Sequence, residues 1–264
     1  MIRLRNIHVV FSPGTSTQKH ALRGTDLDIG EGEFVTVIGS NGAGKSTLLG
    51  LLSGEVRASS GALSIDGVDV TSQSQHARAK LVARVFQDPL AGTCATLTIE
   101  ENLALAAKRG ARRGVRFAID AGDRRRFAQV LEPLGLGLEQ RMKTQIGLLS
   151  GGQRQAVSLL MASLSGSRLL LLDEHTAALD PGTAELVLAI TRRIVEQARL
   201  TTLMVTHSMR QALDFGGRTL MLDGGRIVLD VSGAQRDVLD VPALLSLFNR
   251  ASHKVLDEDR LLAA

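Results

Sequence analysis

The 264-residue chain has no tryptophan, no tyrosine, one cysteine and five prolines. A single thiol, Cys94, excludes an intrachain disulfide and suits a reducing compartment; its ordinary reading is a small, partly buried side chain. No stretch approaches the roughly 18–20 apolar residues needed to cross a bilayer. The N-terminal segment MIRLRNIHVVF alternates apolar and polar residues as a strand does and lacks the apolar centre of a signal peptide. These absences lead to the expectation of a cytosolic chain, or one attached to a membrane only through a partner. With no tyrosine or tryptophan, the basic residues lack the repeated aromatic platforms on which single-stranded nucleic acid stacks, so nucleic acid is not expected as a partner.

What is present is ordinary for a globular chain: 44% hydrophobic residues, 22% charged and a net charge of +4. The length allows one large α/β domain, or one domain carrying an insertion. The basic residues are uneven, with eight Lys or Arg between residues 108 and 126.

The chain opens as β structure. Residues 2–11 alternate, then a Pro13-Gly14 turn leads to TDLDI (25–29) and EFVTVI (33–38), the latter a β-branched run ending in glycine like a buried strand. KSTLLGLLSG reads as a helix, ALSIDGVDV (62–70) as a hairpin turning at Asp66-Gly67, and RVFQ (84–87) as a short strand. From about residue 93 to 160 the patterns are helical, beginning with a capping box at Thr98 and Glu101. Strand and helix then alternate again: RLLLLD (168–173), a helix over 182–198, TTLMVTH (201–207), a short helix from Ser208 and a hairpin over 219–230. That alternation implies an α/β fold with a mainly parallel sheet, whose ligands sit beyond the carboxyl ends of the strands. The expected organisation is one domain over residues 1–240 with a helical subdomain inserted at about 93–160, followed by a short C-terminal helical tail over 241–264. There is no internal repeat.

GSNGAGKST (39–47) fits G-x-x-x-x-G-K-[ST] and lies between a strand and a helix, the context that gives the pattern its meaning. In such a loop the glycines let successive N–H groups of Gly39, Ser40, Asn41, Gly42, Ala43, Gly44 and Thr47 surround phosphates. Lys45 reaches the β- and γ-phosphates, and Ser46 offers its hydroxyl to Mg²⁺. LLLLDE (169–174) buries four leucines and ends in two carboxylates. Successive strand residues point apart, so the two acids divide the work: Asp173 to hold Mg²⁺ through water, Glu174 to orient or deprotonate the attacking water. His207 ends another strand, where it can hydrogen-bond a γ-phosphate, although a histidine there is more often plain surface. Gln87, in VFQDP, carries an amide suited to Mg²⁺ and water that must let go. In LLSGGQRQAV (148–157), Ser150, Gly151, Gly152 and Gln153 precede a helical pattern, leaving amides for an anion at a second place in the chain.

This set resembles the ATP-binding cassette (ABC) ATPase family over about residues 2–231. The Walker A motif falls at 39–47, the glutamine loop at Gln87, the signature at Ser150–Gln153 and the Walker B pair at Asp173 and Glu174. The D-loop TAALD follows, ending in Asp180, then His207. The resemblance implies a P-loop ABC fold with an N-terminal antiparallel β subdomain and an inserted helical subdomain. It implies ATP and Mg²⁺ as ligands, and hydrolysis by Glu174, His207, Lys45 and Gln87. It also implies a head-to-tail dimer in which Ser150 and Gly152 of one copy close on the γ-phosphate held by the other's Lys45. The adenine-stacking position falls on Phe11, which otherwise reads as a core phenylalanine, with His8 a distant second.

One departure is His175, where the family commonly has proline after the catalytic acid; without the ring that fixes φ the turn is expected to be looser. The strings DEHTAALD, VIGSNGAGKST and FQDPLAGT resemble one branch of stand-alone bacterial importer ATPases. That branch implies an integral membrane permease of the ribose or branched-chain-amino-acid type, an extracytoplasmic solute-binding protein and an amino-acid cargo. It places the chain at the cytoplasmic face of the membrane. An export or lipid-extraction complex, or a soluble cassette ATPase, is the alternative. The basic segment Arg109, Arg112, Arg113, Arg116 and Arg124–Arg126 reads as a solvated helical face or as a contact for anionic headgroups.

Overall fold

Alternation at the N-terminus produces strand β1 (Ile2–Phe11), and the expected strand at 25–29 extends back to make β2 (Lys19–Ile29). The computed structural model describes residues 1–109 and 119–250. In chain order there follow β3 (Phe34–Gly39), α1 (Lys45–Ser53), β4 (Ser60–Ile65), β5 (Val68–Asp69), α2 (Gln75–Arg78) and β6 (Val82–Val85). Next come α3 (Ile99–Ala107), α4 (Ala121–Leu131), α5 (Gly151–Leu164), β7 (Leu169–Asp173) and α6 (Pro181–Ala198). The last elements are β8 (Thr201–Val205), α7 (Met209–Asp214), β9 (Arg218–Asp223), β10 (Arg226–Ser232) and α8 (Gly233–Asp237), with helix again over 241–250.

The chain divides into two compact units, Met1–Arg78 together with the chain from Thr201 onward, and Ala79–Leu200. In the first unit β2, β1, β4 and β5 form an antiparallel sheet in that order. A second sheet places β3 between β8 and β9, parallel to both, with β10 antiparallel on β9. A strand flanked on both sides must be apolar on both faces, and Val35, Val37 and Ile38 of β3 are buried. Each such side chain is worth about 1.5–3 kcal/mol of burial. The helix over 241–250 sends Leu244 into a cluster with Ile38, Ala212 and Met221, and Phe248 packs against it.

Two buried arginines finish helices of this unit. Arg78 donates to the carbonyls of Leu51 and Leu52 at the end of α1, and to those of Val70 and Thr71 just past β5. Arg236 donates to those of Ala212, Leu213 and Phe215 at the end of α7. A cation at a helix C-terminus meets the negative end of the dipole and the orphan carbonyls together. α1 begins at the candidate Lys45 and α7 begins two residues past the candidate His207, so each arginine anchors its helix from the far end.

In the second unit β6 and β7 are parallel, with Arg84 opposite Leu171. The capping box expected at Thr98 forms: the Thr98 hydroxyl accepts from the Glu101 amide and the Glu101 carboxylate accepts from the Thr98 amide. Asn102, almost fully buried, accepts from the Cys94 amide and donates to the carbonyls of Cys94, Leu97 and Thr98, which fixes the loop before α3. That loop is tied to the segment preceding α5 through Ile146 N to Leu97 O and Gly147 N to Ala95 O, both 3.0 Å. Of the basic segment, Arg124 pairs with Glu100 at 2.9 Å and Arg125 and Arg126 are exposed; Arg112, Arg113 and Arg116 lie outside the described residues.

Candidate functional site

The loop between β3 and α1 is shaped by two glycines that nothing else can replace. Gly44 has φ +106°, and a Cβ there would lie 2.6 Å from the Ala21 carbonyl oxygen. At Gly39 a Cβ would lie 2.2 Å from the Leu222 carbonyl oxygen. The loop is therefore pressed between β2 and the end of β9, and only bare backbone fits. The turn between β9 and β10 clasps it: Gly225 N–H donates to Ala43 O at 3.1 Å, and Ser40 Oγ donates to Asp223 Oδ1 at 2.9 Å. Gly44 caps α1 with no side-chain hydrogen bond, so the first-turn amides keep the orphan character of a helix N-terminus. Lys45, largely buried, folds its Nζ onto the carbonyls of Gly39 (2.8 Å) and Ser40 (2.9 Å). Ser46 is exposed and Thr47 half-buried at the same helix start. Asn41 and Gly42 are exposed.

Phe11 ends β1 at 42% exposure, which rules out a core role and leaves the ring available to a planar ligand. His8 is engaged with His20 at 3.0 Å and with Asn6 at 3.1 Å. His207 follows buried Thr206 and is itself exposed. Its backbone is held on either side, because Thr206 Oγ1 donates to Gln211 Oε1, Ser208 N donates to Thr206 Oγ1, and Ser208 caps α7 by accepting from Gln211 N.

The second unit carries the rest of the set. Asp173 ends β7 and its Oδ2 is 2.6 Å from an Arg84 guanidinium nitrogen. Glu174 follows with φ +46°, a left-handed conformation uncommon outside glycine and typical of strained functional positions. Gln87 is exposed, two residues past the end of β6 rather than within the strand. His175 is buried, and burial pushes its pKa down to about 4. Its Nε2 lies 2.9 Å from Thr191 Oγ1, whose proton goes to Val187 O; the histidine must therefore donate, which fixes the Nε2–H tautomer. The turn after Glu174 is closed by Ala177 N to Glu174 O at 2.9 Å and Leu179 N to Thr176 O at 3.2 Å. The turn is thus held without proline, by backbone bonds and a histidine anchored to α6.

Ser150 caps α5 with a full capping box: its Oγ accepts from Gln153 N and its own N–H donates to Gln153 Oε1. The Gln153 amide is consequently engaged, and those of Gly151 and Gly152 are the ones left by the helix geometry. A Cβ on Gly152 would meet Thr183 Cγ2 at 2.1 Å, so this glycine serves the close approach of α5 and α6. Asp180 caps α6, accepting from Thr183 N at 3.0 Å, and hydrogen bonding from Thr183 holds its carboxyl below the usual range.

Sequence reasoning missed Arg84, Asp223 and the packing role of Gly152. Arg84 had a signal, a single cation in the otherwise apolar strand VARV. Among the described residues no group of three or more His, Cys, Asp or Glu side chains gathers as a metal site. The candidate metal ligands Ser46, Gln87 and Asp173 offer hydroxyl, amide and carboxylate oxygens. This hard set fits Mg²⁺, which takes one or two protein groups and completes its shell with water and phosphate oxygens.

A parallel strand, a glycine loop that admits no side chain, an uncapped helix and a buried lysine on the loop define a P-loop nucleotide-binding fold. The ABC transporter family model matches residues 22–177, more than half of the chain. A tyrosine transport ATP-binding protein of Clostridioides difficile is 40% identical over 251 residues, covering 95% of this chain and 100% of that protein. The methionine import ATP-binding protein MetN of Rhizobium johnstonii is 37% identical over 79% of this chain, which spans 56% of that protein's length. A solved dimeric ATP-binding cassette, in a post-hydrolysis state bound to ADP and Pi, is 28% identical with a TM-score of 0.75, covering 88% of this chain and 98% of that one. The chain belongs to the ABC transporter family and is an ATPase of that family. Among the described residues no helix is long and apolar enough to cross a membrane.

Proposed function

We propose that this chain is the ATP-binding and ATP-hydrolysing subunit of an importer, peripheral at the cytoplasmic face of the membrane, working as a head-to-tail pair beneath an integral membrane permease. The observation that carries the nucleotide chemistry is the uncapped start of α1 beneath a loop held open by Gly39 and Gly44, with Lys45 on its carbonyls. Importer ATPases among the relatives support the transport role, and one that matches over its whole length is named for tyrosine transport. An amino acid is therefore the cargo class, delivered to the permease by an extracytoplasmic solute-binding protein.

In this reading Phe11 stacks the adenine, and the amides of residues 39–47 with Lys45 hold the phosphates. Mg²⁺, when bound, would supply positive charge to neutralise the phosphates. Ser46, Gln87 and Asp173 are the residues that would hold it. Glu174 takes the proton of the attacking water, and His207 donates to the γ-phosphate. Ser150, Gly151, Gly152 and Gln153 of one copy, with Asp180 beside them in the fold of the same unit, face the nucleotide of the other copy. Pairing then depends on the γ-phosphate, and hydrolysis releases it.

Glu174→Gln keeps the carbonyl oxygen but cannot accept the water's proton. Turnover is expected to fall about a thousand-fold while ATP binding persists. The mass of this variant in solution, measured with and without Mg-ATP, is expected to double with ATP and to return to monomer when Ser150→Arg is added. A variant that hydrolyses ATP at the parent rate would remove Glu174 from the mechanism.

A further inference from the structure

Asp173 is the carboxylate that the proposed function assigns to Mg²⁺, and the structure gives it a cation of its own. Arg84 lies opposite Leu171 in the parallel pairing of β6 and β7. Residues two apart on a strand share a face, so Arg84, Leu171 and Asp173 point the same way. The guanidinium reaches Asp173 Oδ2 at 2.6 Å, with the two side chains only 12% and 16% exposed. Phe86, two residues on along the same strand direction, puts its ring 4.7 Å from the Arg84 Cζ. The carbonyl of Phe86 in turn accepts from Nε2 of fully buried Gln155, on the helix that Ser150 caps. Arg84 is thus held between an aromatic face and a carboxylate, in a strand whose other residues, Val82, Ala83 and Val85, are buried and apolar.

A guanidinium so placed does two opposed things. It compensates a largely buried carboxylate that would otherwise lose hydration without return. It also sets a positive charge beside the oxygen that a divalent cation or its water shell would use, and like charges disfavour one another at that range. We propose that Arg84 is the resident counter-ion of Asp173 and contends with Mg²⁺ for that carboxylate, so that it stabilises the nucleotide-free chain and weakens metal binding. The proposal rests on the assignment of Asp173 to Mg²⁺. It makes Arg84 a positioning residue that sets how much Mg²⁺ the ATPase needs.

The test separates the two effects by their signs. Mn²⁺, a spectroscopic stand-in for Mg²⁺, is titrated into the full chain with a non-hydrolysable ATP analogue, and free Mn²⁺ is read by electron paramagnetic resonance. Thermal unfolding is measured without nucleotide or metal. Arg84→Met is expected to melt lower yet bind Mn²⁺ roughly ten-fold more tightly, because the competing charge is gone. Arg84→Lys keeps a point charge but loses the planar fork and the aromatic stacking. It is expected to fold and to bind Mn²⁺ about three-fold more tightly, which keeps the test open should the methionine variant not fold. Asp173→Asn is the reference and is expected to weaken Mn²⁺ binding. If the Arg84 variants bind Mn²⁺ no better than the parent while Asp173→Asn weakens it, Arg84 is only a structural support and the proposal is overturned with the metal assignment intact. If Asp173→Asn leaves Mn²⁺ binding unchanged, the metal assignment fails and the proposal fails with it.

Discussion

At the start of α1 the chain leaves its amides uncapped; at the start of α5 it caps them. Both segments are glycine-rich, both carry a small hydroxyl residue and both open a helix, so in the sequence they look like two versions of one anion site. The loop before α1 takes its shape from positions where a Cβ would strike backbone, and it carries its own cation on its own carbonyls. The segment before α5 spends Ser150 and Gln153 on each other, and its Gly152 makes room for Thr183. The first is a cradle complete in itself. The second is a finished helix end, which the proposed function sets against a phosphate that another copy holds. In that proposal one chain has two glycine-rich helix starts because only one of them binds alone.

The sharpest way to break that comparison is to place the same methyl group in each segment. Gly44→Ala must adopt a left-handed backbone with its Cβ against the Ala21 carbonyl, which cannot move without disturbing β2. A stability loss of about 4 kcal/mol or more is expected, together with loss of ATP binding, read by denaturant unfolding and by a fluorescent nucleotide. Survival of ATP binding in this variant would mean that the backbone shape of the cradle is not what binds phosphate.

The next effect concerns the region around α5 through its neighbour α6, which carries the Thr191 that accepts from His175. The folded pKa of His175 is about 4 and its ordinary value 6.5. The unfolded chain therefore takes up a proton that the folded chain refuses. Stability is full above pH 6.5, falls as pH drops toward 4, and is flat in this contribution below that. The shift corresponds to about 3 kcal/mol. His175→Gln can still donate to Thr191 but does not titrate, so the difference in unfolding free energy between parent and variant should change across this window. A pH-independent difference would show that His175 is not buried neutral.

Much of this was legible in the sequence, and the misses have a common cause. The strand before the Gly39–Thr47 loop, the Thr98 capping box, the hairpin at Gly224-Gly225 and the helix capped by Asp180 all follow from local pattern, and local interactions build them. The site candidates are read from strand ends and helix starts, where the pattern is also local. What did not show was anything decided by a partner distant in the chain. Arg84 reads as an oddity in a short strand until β7 brings Asp173 to it. Asp223 is an ordinary turn residue until its carboxylate meets Ser40, 183 positions away. His175 in place of proline reads as a looser turn, because the constraint that replaces the ring comes from Thr191, a partner on α6.

Gly152 sharpens the comparison from the other side. Gly152→Ala is expected to cost about 1–3 kcal/mol in the isolated chain, from a methyl forced onto Thr183 Cγ2. Thr183→Ala removes that methyl while keeping the backbone N–H that Asp180 accepts, so the double variant should recover most of the loss. Recovery assigns the glycine to packing between α5 and α6. Loss that persists in the double variant would return Gly152 to a role in backbone conformation alone.

The smallest effect on stability is the most telling about function. Ser150→Ala loses the cap and should cost about 1 kcal/mol. Ser150→Asp keeps it, since aspartate accepts from Gln153 N as well as serine does, and its charge suits the positive end of the α5 dipole. By the stability of the lone chain, aspartate is the conservative change and alanine the damaging one. By pairing, the order reverses. An added negative charge facing a partner's γ-phosphate repels it, whereas alanine leaves a small neutral surface. In the Glu174→Gln background, Ser150→Asp should therefore remain monomeric with Mg-ATP while melting like its parent, and Ser150→Ala should melt lower yet still form the dimer. If both variants follow their melting temperatures instead, Ser150 is a helix cap and nothing more, and the second glycine-rich segment has no part in holding ATP.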